Sequence, residues 1–144
     1  DTSGFVALSD THFLISSHLL TSGIGEIIDN AYEAALAASS PDNTTAYTPV
    51  KLCIGFSEQD DRIVMSISGL SDTSSDESIY ADSNNNRNYN MDRLCEPFFT
   101  TKEKHTGLGL SIVNQMCILS GAALSMTYNT DTHMTTAYIA FKKA

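Results

Sequence analysis

The sequence predicts an α+β fold, a two-layer sandwich in which a mixed, mostly antiparallel sheet is covered on one face by helices. Three observations predict it. Strand-like segments come in two pairs that read as hairpins. A segment with helical apolar spacing precedes each pair, which favours helices packed on a sheet. The chain has 144 residues and 42% apolar content, which suits a single domain with one core over residues 1–144.

The elements follow in order. From Ser16 to Ala38, Leu20, Ile24, Ile27, Ala31, Ala34 and Ala35 recur at helical spacing, with Ser16 or Ser17 as the cap and Gly23 and Gly25 weakening the first turns. "SSPDNTTAYTP" is a loop by composition. Val50–Phe56 and Arg62–Ser68 alternate as strands around the turn "SEQDD". The polar, acidic stretch that follows is poor in apolar residues, and 69–95 is expected to be a mobile loop or lid. "MDRLCEPFF" reads as a short helical turn ended by Pro97. Leu110–Gly121 is a helix presenting Ile112, Val113, Met116 and Leu119 on one face and stopped by Gly121. Ala122–Tyr128 and Thr135–Lys143 are the last strands, joined by "NTDTHM".

Composition excludes several classes of function. A net charge of −9 argues against nonspecific nucleic-acid binding, which needs a basic footprint. It leaves a nucleotide site open, because backbone N–H groups, a metal and a local lysine hold phosphates. No apolar run approaches the roughly 18 residues of a membrane span, so no membrane insertion is expected. The N-terminus has no signal-peptide pattern and no initiator Met, and the chain is read as a fragment of a longer, cytoplasmic protein. Cys53, Cys95 and Cys117 lie far apart without zinc-ligand or redox spacing and are expected as reduced thiols, some of them buried. The four histidines are scattered.

Two stretches carry candidate chemistry. In "EIIDNAYEA", Glu26 and Asn30 stand four apart on one helix face, with Asp29 and Glu33 elsewhere. A carboxylate one turn from an amide can orient a water and a hard cation such as Mg²⁺, although such residues also make an ordinary solvated face. In "TTKEKHTGLGLSIV", Gly107 and Gly109 precede a helix, whose N-terminus attracts anions, and Lys102 and Lys104 add positive charge. A bare glycine pair before a helix is also a common turn.

Taken together, these stretches resemble a known family. "EPFFTTKEKHTGLGLSIVNQM", Glu96 to Met116, is similar to the phenylalanine box and second glycine box in the catalytic, ATP-binding domain of bacterial sensor histidine kinases. "EIIDNAYEA" resembles the asparagine box of the same GHKL superfamily, and "SGAALSMTYNTDTHMTTAYIAF" looks like its closing hairpin. The segment around Glu26, where many histidine kinases have Asn, also looks like the mitochondrial dehydrogenase kinases. The resemblance covers roughly Ser16 to Phe141 and implies the Bergerat fold. It implies that Asn30 ligates Mg²⁺ and that Glu26 is catalytic, polarising a water or the attacking nucleophile. Phe98 and Phe99 would pack the base of the lid. Lys102, Lys104, His105, Thr106, Gly107, Leu108, Gly109 and Leu110 would form the phosphate side of an Mg–ATP site, through the two lysines and the amides of Leu108 to Leu110. A phosphoacceptor helix would lie outside this chain.

The sequence departs from that pattern in two places. The family's first glycine box carries an Asp that accepts a hydrogen bond from the adenine amino group. The corresponding strand here runs "RIVMSISGLSD", with the Asp position falling near Ile67 to Gly69 and the second glycine near Ser71. No acid stands there, and Asp72 lies past the strand end. Loss of such a contact, worth roughly 1.5–3 kcal/mol, implies at least about tenfold weaker ATP binding. The second departure is His105, where the family's "GTGLGL" begins with glycine. Its imidazole restricts the lid, adds a phosphate contact or is simply solvated. Two readings follow. One is a nucleotide-impaired module in two-component phosphorelay signalling that docks a dimerisation/phosphoacceptor domain or a response regulator. The other is a working Mg–ATP-binding domain that phosphorylates a histidine on a dimerisation domain.

Overall fold

A computed structural model describes residues 22–39, 50–71, 80–81, 86–96 and 109–142. Its elements are α1 (Ile24–Ser39), β1 (Leu52–Gln59), β2 (Arg62–Leu70), β3 (Asn86–Asn88), α2 (Met91–Leu94), α3 (Gly109–Leu119), β4 (Ala123–Asn129) and β5 (Met134–Lys142). The strands form one five-stranded sheet in the order β1-β2-β5-β4-β3. Every neighbouring pair is antiparallel, so the mixed sheet expected from sequence is antiparallel throughout the described residues.

Burial along β2 has the period of two that a half-covered strand requires. Ile63, Met65, Ile67 and Gly69 are buried, while Val64, Ser66 and Ser68 on the other face are only half-buried. Across the ladder Ile63 faces Phe141, Met65 faces Ile139 and Ile67 faces Ala137, all buried. Ile24 and Ile27 of α1 and Val113 and Cys117 of α3 complete this one core cluster. Both long helices therefore lie on the same face of the sheet. The opposite face is mixed, carrying Val64 and Tyr138 beside Ser66, Ser68 and Thr136, with the Ser68 and Thr136 hydroxyls 2.9 Å apart.

Turn chemistry fixes the hairpins. Gln59 pairs with Arg62, leaving the two-residue loop Asp60–Asp61, and Asp60 takes a positive φ of 50° that short polar side chains tolerate. Between β4 and β5, Asn129 Oδ1 accepts hydrogen bonds from the backbone N–H groups of Asp131 and Thr132. At the end of α3, Gly121 adopts φ 70° and the Ala122 N–H reaches the Cys117 carbonyl at 2.8 Å, the stop expected from the glycine.

Three sequence expectations change. The helix expected from Ser16 is described as a helix from Ile24, and its Ser16 or Ser17 cap lies outside the described residues. In α3 the inward residues are Val113 and Cys117, whereas Ile112 and Leu119, expected on the apolar face, are exposed. The reason is that the apolar arc of α3 is wider than the stripe that packs: Leu110 and Met116 join Val113 and Cys117 against the core, and Ile112 and Leu119 lie on the outer edge of that arc.

The third change lies in 69–95. This stretch opens with the last two residues of β2 and contains β3 and α2; residues 72–79 and 82–85 lie outside the described set. β3 pairs with β4, and a second cluster of Tyr80, Leu94 and Tyr128 pins it. Tyr80 and Tyr89 bridge, with ring centroids 4.9 Å apart, and the Arg87 guanidinium lies 5.1 Å from the Tyr80 ring centre. Asn90 caps α2 through its side chain, which accepts from the Arg93 N–H.

Candidate functional site

The candidate residues that fall within the described structure are Glu26, Asn30, Gly109 and Leu110. Glu26 and Asn30 lie one turn apart on α1, both half-buried, while Asp29 and Glu33 are exposed. Gly109 is the first residue of α3, and Leu110 packs against both apolar clusters. Lys102, Lys104, His105, Thr106, Gly107 and Leu108, together with Phe98 and Phe99, lie outside the described residues.

The fold brings Glu26 and Gly109 into direct contact. A Cβ at Gly109 would run into the Glu26 carboxylate oxygen and would lie 2.9 Å from its Cδ and 3.2 Å from its Cγ. Only a residue without a side chain leaves room for that carboxylate at the start of α3. Seventy-nine positions separate Gly109 from Asn30 in the chain, yet α1 and α3 pack against each other on the sheet, with Glu26, one turn before Asn30, at the contact.

Gly69, the last inward residue of β2, lies on the sheet beneath the helical layer. It faces Thr135 across the ladder and lies under α1, where an added Cβ would be 3.7 Å from the Ala31 carbonyl oxygen and 3.8 Å from the Ala35 Cβ. The tip of Leu52 covers it, with Cδ2 only 2.7 Å from that Cβ position. Two residues on, Ser71 is buried. Its N–H donates to the His133 carbonyl at 2.9 Å, and its hydroxyl hydrogen-bonds the Thr135 hydroxyl. Thr135 also meets the Tyr89 hydroxyl at 3.2 Å. Burial is the main cause that pushes the Tyr89 phenol far above the ordinary tyrosine range. These hydroxyls are internally satisfied and lie beside a glycine where sequence reading looked for an acid.

Leu52, Thr135 and Tyr89 escaped the sequence reading. The strand pattern contained the signal for Thr135, since an alternation that places Ala137, Ile139 and Phe141 inward also turns Thr135 inward. Nothing in the sequence pointed to Leu52, which comes from the neighbouring strand. Among the described residues no group of three or more His, Cys, Asp and Glu side chains is arranged to hold a metal, and no helix is long and apolar enough to cross a membrane.

This antiparallel sheet, with its two long helices on one face, is the fold of a histidine kinase catalytic domain. The solved structure of the catalytic domain of histidine kinase ThkA, in a nucleotide-free form, matches with a TM-score of 0.62 at 17% sequence identity, covering 89% of this chain and 68% of that one. No protein-family model matches the sequence. No curated protein matches it either.

Proposed function

We propose that this chain is a degenerate histidine-kinase-type domain of two-component phosphorelay signalling, impaired in nucleotide binding and acting as a cytoplasmic partner-docking module. The observation that carries this reading is Leu52 lying over Gly69. The resemblance puts the adenine-reading aspartate at this end of β2. A side chain there would project beneath α1 toward Ala31 and Ala35, into space that Leu52 already fills. Among the described residues at this end of β2 no carboxylate stands as an acceptor for the base of a nucleotide, and the nearby Ser71 and Thr135 hydroxyls bond each other.

A docking role is supported by α3. Its sequence, GLSIVNQMCIL, has no charged residue, and Ile112, Ile118 and Leu119 are 50%, 60% and 78% exposed. Exposed apolar side chains grouped on one helix favour an interaction surface over a merely solvated one. A dimerisation/phosphoacceptor domain or a response regulator is the partner class this reading assigns.

The second reading, an Mg–ATP-binding catalytic domain, is favoured by Glu26 and Asn30 standing one turn apart on the helix that packs beside the start of α3. An amide and a carboxylate are suitable hard oxygen ligands for Mg²⁺ when a substrate phosphate completes the shell. Calorimetric titration with Mg–ATP and Mg–ADP separates the two, with Asn30→Ala as control. Absence of heat at millimolar nucleotide supports the docking reading. Micromolar binding that disappears in Asn30→Ala overturns it.

A further inference from the structure

The face of the sheet opposite the helices carries an arrangement that the nucleotide site does not use. Alternation along β1 turns Ile54 and Phe56 toward the helical core and Gly55, Ser57 and Gln59 to the other face. Ser57 is exposed, and β1 is the terminal strand of the described sheet. Glu58, Gln59, Asp60 and Asp61 follow it through the hairpin turn, so three of the next four residues are acidic. On the same face Arg62 stands opposite Gln59 on one side and Lys142 on the other. Ser57 pairs with Val64, which makes Arg62 its diagonal neighbour, about 7–8 Å away. Like charges directly opposite each other in a sheet cost stability. That makes the Arg62–Lys142 pairing unexpected in a chain with eight basic residues against seventeen acidic ones. Arg62 donates to the Ala140 carbonyl at 3.4 Å, a neutral acceptor. Among the described residues, neither Arg62 nor Lys142 takes part in an ion pair.

We propose that Ser57 is a phosphorylation site for an acid-directed serine kinase, and that Arg62 and Lys142 receive its phosphate. Protein kinases discriminate substrates by the charge pattern around the acceptor hydroxyl. Ser57 offers an exposed hydroxyl on extended backbone, with acids one, three and four positions on. In the transfer, Ser57 Oγ bonds to the γ-phosphorus of the kinase's Mg–ATP. The bond from that phosphorus to the β–γ bridging oxygen breaks, ADP leaves, and the hydroxyl proton passes to a base of the kinase. The new group brings about 1.5–2 negative charges and three strong acceptor oxygens. A guanidinium binds phosphate bidentately, so Arg62 is the nearer clamp, and Lys142 adds a second positive charge beside it. Glu58 belongs to the opposite face, while Asp60 and Asp61 sit in the turn beyond Gln59. The phosphate thus relieves the like-charge pairing of Arg62 with Lys142 and ties the terminal strand to its neighbours. The proposal goes beyond the nucleotide site and holds under either reading of it.

The test treats the whole 144-residue chain with an acid-directed serine/threonine kinase and Mg–ATP. Peptide mapping by mass spectrometry is expected to place a phosphate on Ser57. The stretch 71–83 also holds serines followed by acids, so the mapped position, not total incorporation, is the readout. Ser57→Ala, treated alike, supplies the baseline for modification elsewhere. At low ionic strength, treatment is expected to raise the thermal midpoint of wild type by about 2–4 °C more than that of Ser57→Ala. Added salt should shrink this extra rise. Arg62→Gln should abolish it, Arg62→Lys should keep part of it, and Lys142→Gln should reduce it. Absence of phosphate on Ser57, whether or not 71–83 is modified, overturns the proposal. So does a phosphorylated Ser57 that gives no extra rise, or the same rise in Arg62→Gln. If Arg62→Gln does not fold, Lys142→Gln and the salt dependence decide.

Discussion

Leu52 Cδ2 lies 2.7 Å from the point where a Cβ on Gly69 would stand, although the two residues sit on neighbouring strands in direct register. The conflict is with the far end of a rotatable side chain. Gly69→Ala should therefore cost only about 0.5–1.5 kcal/mol, the size of an off-rotamer shift. Gly69→Asp places a carboxylate beneath α1 beside Ala31 and Ala35 and should cost more, on the order of 3–5 kcal/mol for an uncompensated buried charge. Urea unfolding measures both. Repeating Gly69→Ala in a Leu52→Ala background should make the alanine nearly neutral, and equal costs in the two backgrounds would show that Leu52 is not the obstacle.

Core and surface on the helical side should separate cleanly. Ile139 is fully buried at the centre of β5, between Met65 on β2 and Leu124 on β4. Ile139→Ala should cost about 2–5 kcal/mol by lost transfer energy and the cavity left behind. Leu119 is mostly exposed, so Leu119→Ala should stay within about 0.5 kcal/mol of wild type. If the α3 face docks a partner, Ile118→Ala and Leu119→Ala together should weaken that binding while thermal unfolding barely moves. Unchanged binding to the cognate domain would remove α3 from the interface.

The buried Tyr128 ring ends in a hydroxyl 3.0 Å from His133 Nδ1. His133 itself holds a positive φ of 56° in the turn that also receives the Ser71 N–H. Tyr128→Phe keeps the ring packing and deletes the hydroxyl that makes this bond, so it should cost about 0.5–1.5 kcal/mol. His133→Ala should cost a comparable amount, and the double variant less than the sum. Thermal unfolding of the four proteins tests the coupling, with strict additivity as the contrary result.

What the sequence disclosed, and what it hid, has a physical basis. The β1–β2 and β4–β5 hairpins were legible because alternation, a polar turn and a local partner all agree in one short stretch. The start of α3 was legible from Gly109, and its end from Gly121. β3 was hidden because Asn86–Asn88 has poor strand propensity and is held by tertiary neighbours: β4 on one side and the Tyr80–Tyr89 contact beside it. The inward face of α3 was only partly legible because its apolar arc is wider than the stripe that packs, and the sheet selects Val113 and Cys117 over Ile112 and Leu119. Of the candidate site, the residue types were legible on each helix separately. The contact between Glu26 and Gly109 was not, since it depends on how α1 and α3 pack. The same holds for Leu52 over Gly69, which arises from strand pairing.

The cysteines divide by burial, and both reactivity and alkaline stability should follow that division. Cys53 is exposed, whereas Cys95 and Cys117, the latter on the inward side of α3, are buried in the core. Burial, with a smaller contribution from Asp92, pushes the Cys95 thiol from 9.0 up to about 11. Burial, with a smaller contribution from Cys95, does the same to Cys117. The thiolate is the nucleophile, so iodoacetamide at mildly alkaline pH should modify Cys53 first and leave the other two until the protein unfolds. Peptide mapping checks this, and early labelling of Cys117 would contradict the burial. The same shifts carry a sign for stability. Between about pH 9 and 11 the folded chain keeps two thiol protons that the unfolded chain has released, so the folded state binds more protons and stability falls as pH rises. Below pH 9 the contribution is complete. Urea midpoints measured from pH 8 to 11 should therefore decline in wild type and decline less steeply in Cys95→Ala and in Cys117→Ala. Parallel slopes in all three would assign the alkaline loss to other groups, of which the half-buried Tyr89 phenol, titrating at still higher pH, is the next to examine by Tyr89→Phe.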